Sequence, residues 1–410
     1  MRYARGVGIG TAVLMTLVAP STVRGQITLV TSDNTQLRLT GYLRALTGVH
    51  RAAINIPATP RTTGFHGDVM RLKWQLAVGD RLALTVHNRL QAQITSAATS
   101  FGTVAGFGVS VLPGRPVDLT TRLVDEERLD VWHDVDRLAL TVRTGVADVT
   151  VGRQAITWGL SNLFPVADLW AQFSPFELDT EEKPGSDAVR VLSYPVRGLE
   201  LDAVAAARGR AEDWSAGIRA TVDLPTADVY VATGKFWNEL IGLSGVTFVL
   251  DRMKLRVEAA LPYDLDADDW QRVRATVGAD WLSARLSLTA EYHLNGIGAG
   301  DPSAYPATLG DPRLRRGESY YLGRHYLGAA LGYTVDQEAR LTFALSGLWN
   351  VEDRSAAVTP TLSYDFGQST SVSFGTLQSF GSTPTVAPAA LRSEFGTYGD
   401  LWFVRLSVYL

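Results

Sequence analysis

Cysteine is absent from all 410 residues. That removes disulfides and thiolate metal sites, and it removes lipid attachment, which needs a cysteine where a leader is cut. Histidine is scarce. His50, His66, His87, His133, His293 and His325 fall in no metal-ligand spacing, and no Gly-x-Ser-x-Gly elbow occurs. His293 shares a strand face with Ser287 and Glu291, an arrangement that chance supplies on any polar face. No nucleophile–base pair, metal or cofactor is therefore expected, and no enzyme. An excess of one charge is also missing: 38 Lys and Arg against 42 Asp and Glu leave a net charge of −4, which excludes a nucleic-acid partner. Linkers, composition shifts and low-complexity blocks are absent from Gln36 to Leu410, so one long domain is expected.

Long hydrophobic runs are missing too, with one short exception. Met1-Arg2-Tyr3-Ala4-Arg5 is basic, Val7 to Ala19 is largely apolar, and Ser21-Thr22-Val23-Arg24-Gly25 is small and polar. This is the layout of a secretory signal peptide, expected over 1–25, with the mature chain starting near Gln26. A helical span needs ~20 apolar residues, and nothing after residue 25 supplies them.

What the chain has instead is alternation. Met70, Leu72, Trp74, Leu76 and Val78 alternate with Arg71, Lys73, Gln75 and Ala77; after Gly79-Asp80, Leu82, Leu84 and Val86 alternate with Arg81, Ala83, Thr85 and His87. Two period-two runs joined by so short a turn form a hairpin. The pattern returns at 253–259, 272–280, 285–295 and 340–345. A soluble sandwich would also alternate. Three features favour a membrane: runs of ~9–11 residues, the length that crosses a bilayer at a tilt; repeated charges on the polar face; and tight turns alternating with long loops. Trp214 and Trp270 open strands, while Tyr194, Trp281, Trp349 and Tyr364 close them, as in interfacial girdles. The expected fold class is all-β: a single transmembrane antiparallel β-barrel over 26–410, with short periplasmic turns and long extracellular loops.

Strands are expected at 36–44, 67–78, 81–92, 126–143, 147–157, 187–194, 199–206, 214–222, 227–235, 240–250, 253–261, 270–281, 284–295, 324–335, 339–349, 356–365, 370–380 and 400–410. Reading 126–143 as one strand gives about 18, within a range of 16–18, and sorts long and short connections to opposite sides. The long loops are then 45–66, 93–123, 159–186, 296–323 and 381–399. Alternation slips between His133 and Asp136, which predicts a bulge there.

The closing run Trp402-Phe403-Val404-Arg405-Leu406-Ser407-Val408-Tyr409-Leu410 resembles the C-terminal strand of outer-membrane proteins. The resemblance implies recognition by the barrel-assembly machinery, although that family usually ends in Phe. Val151-Gly152-Arg153-Gln154-Ala155-Ile156-Thr157-Trp158-Gly159 resembles the Gly-Arg-Gln strand of porin-like families, including alginate-export-type barrels. These resemblances imply the outer membrane, with its lipid as one partner and small hydrophilic, including anionic, solutes as the others. They imply a porin-like channel. Export or anchoring of surface polysaccharide is the alternative, and a monomer is expected.

Barrels of ~16–18 strands hold an aqueous channel. In general porins, which the architecture resembles, the third loop folds inward. Here that loop, 159–186, carries Asp168, Glu177, Asp179, Glu181 and Glu182 beside Phe164, Trp170, Phe173 and Phe176. By parity the wall can oppose these carboxylates with Lys73, Arg219, Lys254, Arg256, Arg272, Arg274, Arg285 and Arg340, and with Arg153 if it faces inward. The expectation is a constriction with a transverse field that sorts solutes by charge. In the bland alternative the bases pair across strands with Glu200, Asp202, Glu258 and Glu291.

Overall fold

The computed structural model describes residues 26–54, 60–97, 114–336, 338, 340–386 and 389–410. The expected leader (1–25), residues 98–113 of the second long loop and Gln337 of one expected turn lie outside them.

Each alternating run forms an extended strand, because period two puts one side-chain type on each face. The strands are β1 (Thr35–Arg51), β2 (Thr62–Val78), β3 (Leu82–Thr95), β4 (Leu129–Arg143), β5 (Ala147–Gln154), β6 (Ser186–Val196), β7 (Leu199–Arg208), β8 (Arg210–Asp223) and β9 (Ala227–Phe236). They continue as β10 (Glu239–Leu250), β11 (Met253–Asp264), β12 (Arg274–Leu282), β13 (Leu286–Leu294), β14 (His325–Thr334), β15 (Leu341–Asn350), β16 (Ala356–Asp365), β17 (Thr370–Phe380) and β18 (Asp400–Tyr409). Among the described residues the main sheet has 21 strands. Three are short flanking pieces, and the other 18 pair antiparallel with their chain neighbours. β1 meets β18 from Tyr42↔Tyr409 to Arg51↔Asp400 and closes the cylinder. Closure leaves no run of unpaired backbone facing lipid.

The wall is apolar outside and polar inside. Val231, Val257, Val277, Leu288, Leu327, Phe374 and Val404 are exposed on the outer face, whereas Arg71, Asp202, Arg256, Glu258, Thr276 and Glu291 are buried on the inner one. A soluble sandwich has the opposite polarity, so the inversion excludes it. Tyr194, Trp214, Trp270, Trp349 and Tyr364 are exposed towards strand ends. The long connections all gather at one end, which we call the loop end, together with short turns at Gly209 and Trp237–Asn238; the other, the turn end, carries short turns alone among the described residues. Gly79 takes φ +57° in the β2–β3 turn, where its N–H reaches the Asn34 carbonyl at 2.7 Å.

β4 is one strand, as parity requires. Its register against β3 jumps from His87↔Arg137 to Asn88↔Val135, so Asp136 is the extra residue of a bulge. Several boundaries differ from the sequence reading. β1 and β2 pair without interruption from Thr35↔Val78 to Arg51↔Thr62, well beyond the expected 36–44 and 67–78. Near the loop end their inner face is apolar, with Leu46 and Phe65 in a cluster, so the binary pattern fades while pairing continues. Two expected loop or tail stretches are strands: Ile27–Ser32 pairs with β1, and Thr120–Asp125 with the upper half of β4. Both fill edges that the main strands leave open. β5 ends at Gln154, and from there the chain turns into the barrel.

Candidate functional site

The third long connection, residues 155–185, is lined up against the inner wall by two apolar clusters. Its first part places Ile156, Trp158, Val166, Ala167, Leu169 and Trp170 against wall residues that include Val204, Tyr230, Phe236 and Leu243. Trp158 meets Trp170 edge-on at 5.1 Å between centroids, and Trp170 meets Phe236 at 4.9 Å. The wall is trimmed to fit: a Cβ on Gly217 would lie 3.1 Å from the Trp158 ring, and one on Gly328 would lie 2.7 Å from that of Phe164. The middle of the loop reaches the opposite wall. There Phe164, Phe176 and Leu178 join Phe395, Leu401, Phe403 and Tyr398.

Backbone polarity is satisfied by buried wall carboxylates. Glu258 accepts from the N–H groups of Leu160 (2.9 Å) and Val166 (3.2 Å), and from the Tyr230 hydroxyl (2.9 Å). Glu291 accepts from the N–H groups of Asn162 (2.8 Å), Leu163 (3.0 Å) and Phe164 (3.0 Å). Asp202 accepts from the Trp158 indole at 2.8 Å. Charge-assisted bonds of this kind are about twice as strong as neutral ones. The acids expected only to balance wall bases therefore also hold the loop.

The loop then returns along β1, β2 and β4, and its carboxylates meet cations there. Asp179 pairs with Arg44. Glu181 lies 2.6 Å from Arg44 and 3.7 Å from Lys73, and Glu182 lies 2.5 Å from Lys73 and 3.8 Å from Arg137. Arg405 donates to the Leu178 carbonyl at 2.9 Å, and Arg71 pairs with Asp136 at 2.5 Å. Burial pushes the Glu182 carboxyl up, but the hydrogen bond and charge of Lys73, with the charge of Arg71, outweigh it and hold the group below its ordinary range.

Of the nominated bases, the structure brings Lys73 alone onto the loop carboxylates. Arg219 faces the lumen but pairs with Glu200 at 2.9 Å and lies 5.9 Å from the Trp158 ring. Arg256 is spent on Asp280 (2.8 Å) and Glu291 (2.9 Å). Arg274 faces Glu318 of the 295–324 loop at 3.7 Å. Arg153 is sealed in the wall, bound to Asp187 at 2.7 Å and to the carbonyls of Val135 and Val117. Gly152 explains that position: with φ +117°, and a Cβ that would lie 2.1 Å from the Leu138 carbonyl, it breaks the alternation. Lys254, Arg285 and Arg340 are exposed at the turn end, Arg340 on Glu338 at 2.7 Å, and Arg272 is exposed ahead of β12 at the loop end. Among the loop acids, Asp168 pairs within the loop with Lys183, and Glu177 donates its N–H to Ser174 at 3.1 Å.

Sequence reasoning missed Arg44, Arg71, Arg137 and Arg405. Arg71 and Arg44 stand on the polar side of their alternating runs, so parity already carried a signal. Arg137 follows the bulge that scrambles parity.

No family model matches the sequence, and no curated protein matches it. Solved structures do match in fold. Acinetobacter baumannii OccAB3 aligns with a TM-score of 0.58 at 9% identity, over 91% of this chain and 99% of that one. The fold is Occ-like. Pseudomonas aeruginosa outer membrane protein OprD aligns at 0.50 with 10% identity, over 92% of each chain. Pseudomonas aeruginosa OpdK, solved with vanillate, aligns at 0.52 with 9% identity, over 91% of this chain and 98% of that one. The likeness covers 91–92% of this chain and is one of fold; it gives no specific support for an alginate exporter.

Proposed function

We propose that the chain is an outer-membrane channel for small hydrophilic solutes, with a preference for those carrying a carboxylate. The observation that carries this reading is the row of cations on β1, β2 and β4. Arg44, Arg71, Lys73 and Arg137 face a loop inside the barrel, where rings of charge discriminate by sign. The vanillate found with OpdK is a carboxylate, which makes it a sensible first solute. Under this reading the leader is cut near Gly25, the last strand is read by the assembly machinery, and lipid wets the outer wall. The finer resemblance to alginate exporters rests on Gly152-Arg153-Gln154 alone. Polymer export would require residues 155–185 to leave the bore against both clusters and three carboxylate anchors, so it is the weaker reading.

The test is single-channel recording of the refolded chain in a planar bilayer under a salt gradient. A reversal potential of the sign for anion preference is expected, and Arg44→Ala with Lys73→Ala should move it towards cations. A cation preference in the parent chain, or stable silence from a folded barrel, overturns the proposal.

A further inference from the structure

The third loop has two kinds of attachment. Residues 156–170 are fixed by packing and by Asp202, Glu258 and Glu291. Between Leu178, which packs on the second cluster, and Lys183, which pairs with Asp168, the side chains of Asp179, Glu181 and Glu182 are held by wall cations and by two long contacts. The Tyr42 hydroxyl lies 3.5 Å from Asp179, and the Tyr409 hydroxyl lies 3.4 Å from Glu181.

The two sides of these ion pairs are not equally accessible. The carboxylates of Asp179, Glu181 and Glu182 keep 20%, 29% and 20% of their side-chain surface exposed and Lys73 keeps 18%, while Arg44 keeps 8% and Arg137 keeps 6%. The acids and Lys73 therefore lie nearer the water, with Arg44 and Arg137 beneath them. Glu181 bridges Arg44 and Lys73, and Glu182 bridges Lys73 and Arg137, the way a free carboxylate would sit between two cations. The wall also has donors to spare. Among the described residues, Arg71 Nε and the ring nitrogens of buried His87, one of them an N–H in the neutral imidazole, make no hydrogen bond, and His87 lies opposite both Lys73 and Arg137 in register.

We infer that the Asp179–Glu182 segment is a tethered competitor, whose carboxylates occupy the cationic wall in place of a solute and are exchanged for the solute's own carboxylate as it passes. This inference rests on the anion-channel reading. The physical reason for exchange is that a buried guanidinium stripped of its partner is costly, whereas swapping one partly exposed carboxylate for another nearly conserves the pairing. The loop side chains leave as the solute arrives, so the site is neither bare nor permanently blocked. Selectivity is then set by competition: a solute must bind the wall better than a carboxylate already held at high effective concentration.

The experiment uses the full refolded chain in planar bilayers, with benzoate as the probe and its half-blocking concentration as the readout. Glu181→Gln with Glu182→Gln keeps side-chain size and removes the competing charge. The half-blocking concentration should fall on the order of tenfold, which corresponds to about 1.4 kcal/mol. Glu200→Gln, which removes a lumenal carboxylate paired with Arg219 and not with Arg44, Lys73 or Arg137, should move it less than about twofold, because screening confines the effect to near neighbours. Should the double variant not fold, Glu181→Gln alone should shift the value in the same direction by a smaller factor. Benzoate block that is unchanged or weaker in these variants overturns the competitor, as does an equal gain in Glu200→Gln. A parent chain that prefers cations and ignores benzoate overturns the channel reading itself.

Discussion

At the scale of single residues, position across the wall decides what a side chain is worth. Leu288 is exposed on the outer face and pairs with Trp281 and Leu331, while its neighbour Thr289 points inward and donates to Asp280 at 2.8 Å. Leu288→Arg should destabilise the barrel in lipid by about 2–4 kcal/mol if it lies near mid-bilayer. Thr289→Arg should be tolerated, because the new guanidinium arrives beside Asp280. Unfolding from vesicles in denaturant measures both, and equal effects would mean that the faces are assigned the wrong way round. Glu258 makes the corresponding case inside. Removing its carboxylate in Glu258→Ala leaves the Leu160 and Val166 N–H groups without their acceptor, at about 1–3 kcal/mol each. The loop should loosen while the barrel persists, which would be read as faster protease cleavage within 155–185 at unchanged far-ultraviolet circular dichroism.

At the scale of elements, the loops differ in how they are tied down. The 295–324 connection docks through Arg313 on Glu239 (2.9 Å), Arg316 on Asn238 (2.9 Å) and Glu318 beside Arg274 (3.7 Å). Burial pushes the Glu318 carboxyl up to about 7. Arg274 pulls it down, Glu239 pushes it up, and Arg316 and Arg313 pull it down. A carboxyl whose folded value is raised favours the docked state most below its unfolded value, about 4.5, and that contribution is lost as pH rises through about 7. Amides of 295–324 should therefore exchange more slowly at about pH 5 than at about pH 8, once intrinsic rates are divided out. Glu318→Gln should flatten the difference, and a profile that is flat in the parent chain would refute the linkage.

The molecule as a whole obeys closure and parity together. An even strand number places both ends of the described chain at the turn end, and β1 and β18 complete the ring. If the chain is the outer-membrane channel proposed above, the rule that short turns face the periplasm predicts the 295–324 loop on the outside of the cell. An epitope inserted after Arg315 should be labelled on intact cells, and the same epitope in the Asp251-Arg252 turn should be labelled only after the membrane is broken. The reverse pattern would invert the topology.

The sequence by itself determined the architecture, because every strand of a lipid-facing barrel must show period two, and the residues that carry it are local. Alternation placed all eighteen wall strands, and the slip between His133 and Asp136 marked the bulge. Alternation failed where the inner face turns apolar, as at Leu46 and Phe65 on β1 and β2, and where short strands fill edges, as at Ile27–Ser32 and Thr120–Asp125. The pairing within the lumen was decided only by the tertiary structure. A polar face says that Arg44, Lys73, Arg256 and Arg274 point inward, but not which carboxylate each will meet across the bore. That depends on the path of a loop whose course is fixed by Trp158, Trp170 and Phe176 packing on distant strands, and by Glu258 and Glu291 capturing its backbone. Those contacts join residues far apart in the chain, and no local periodicity encodes them.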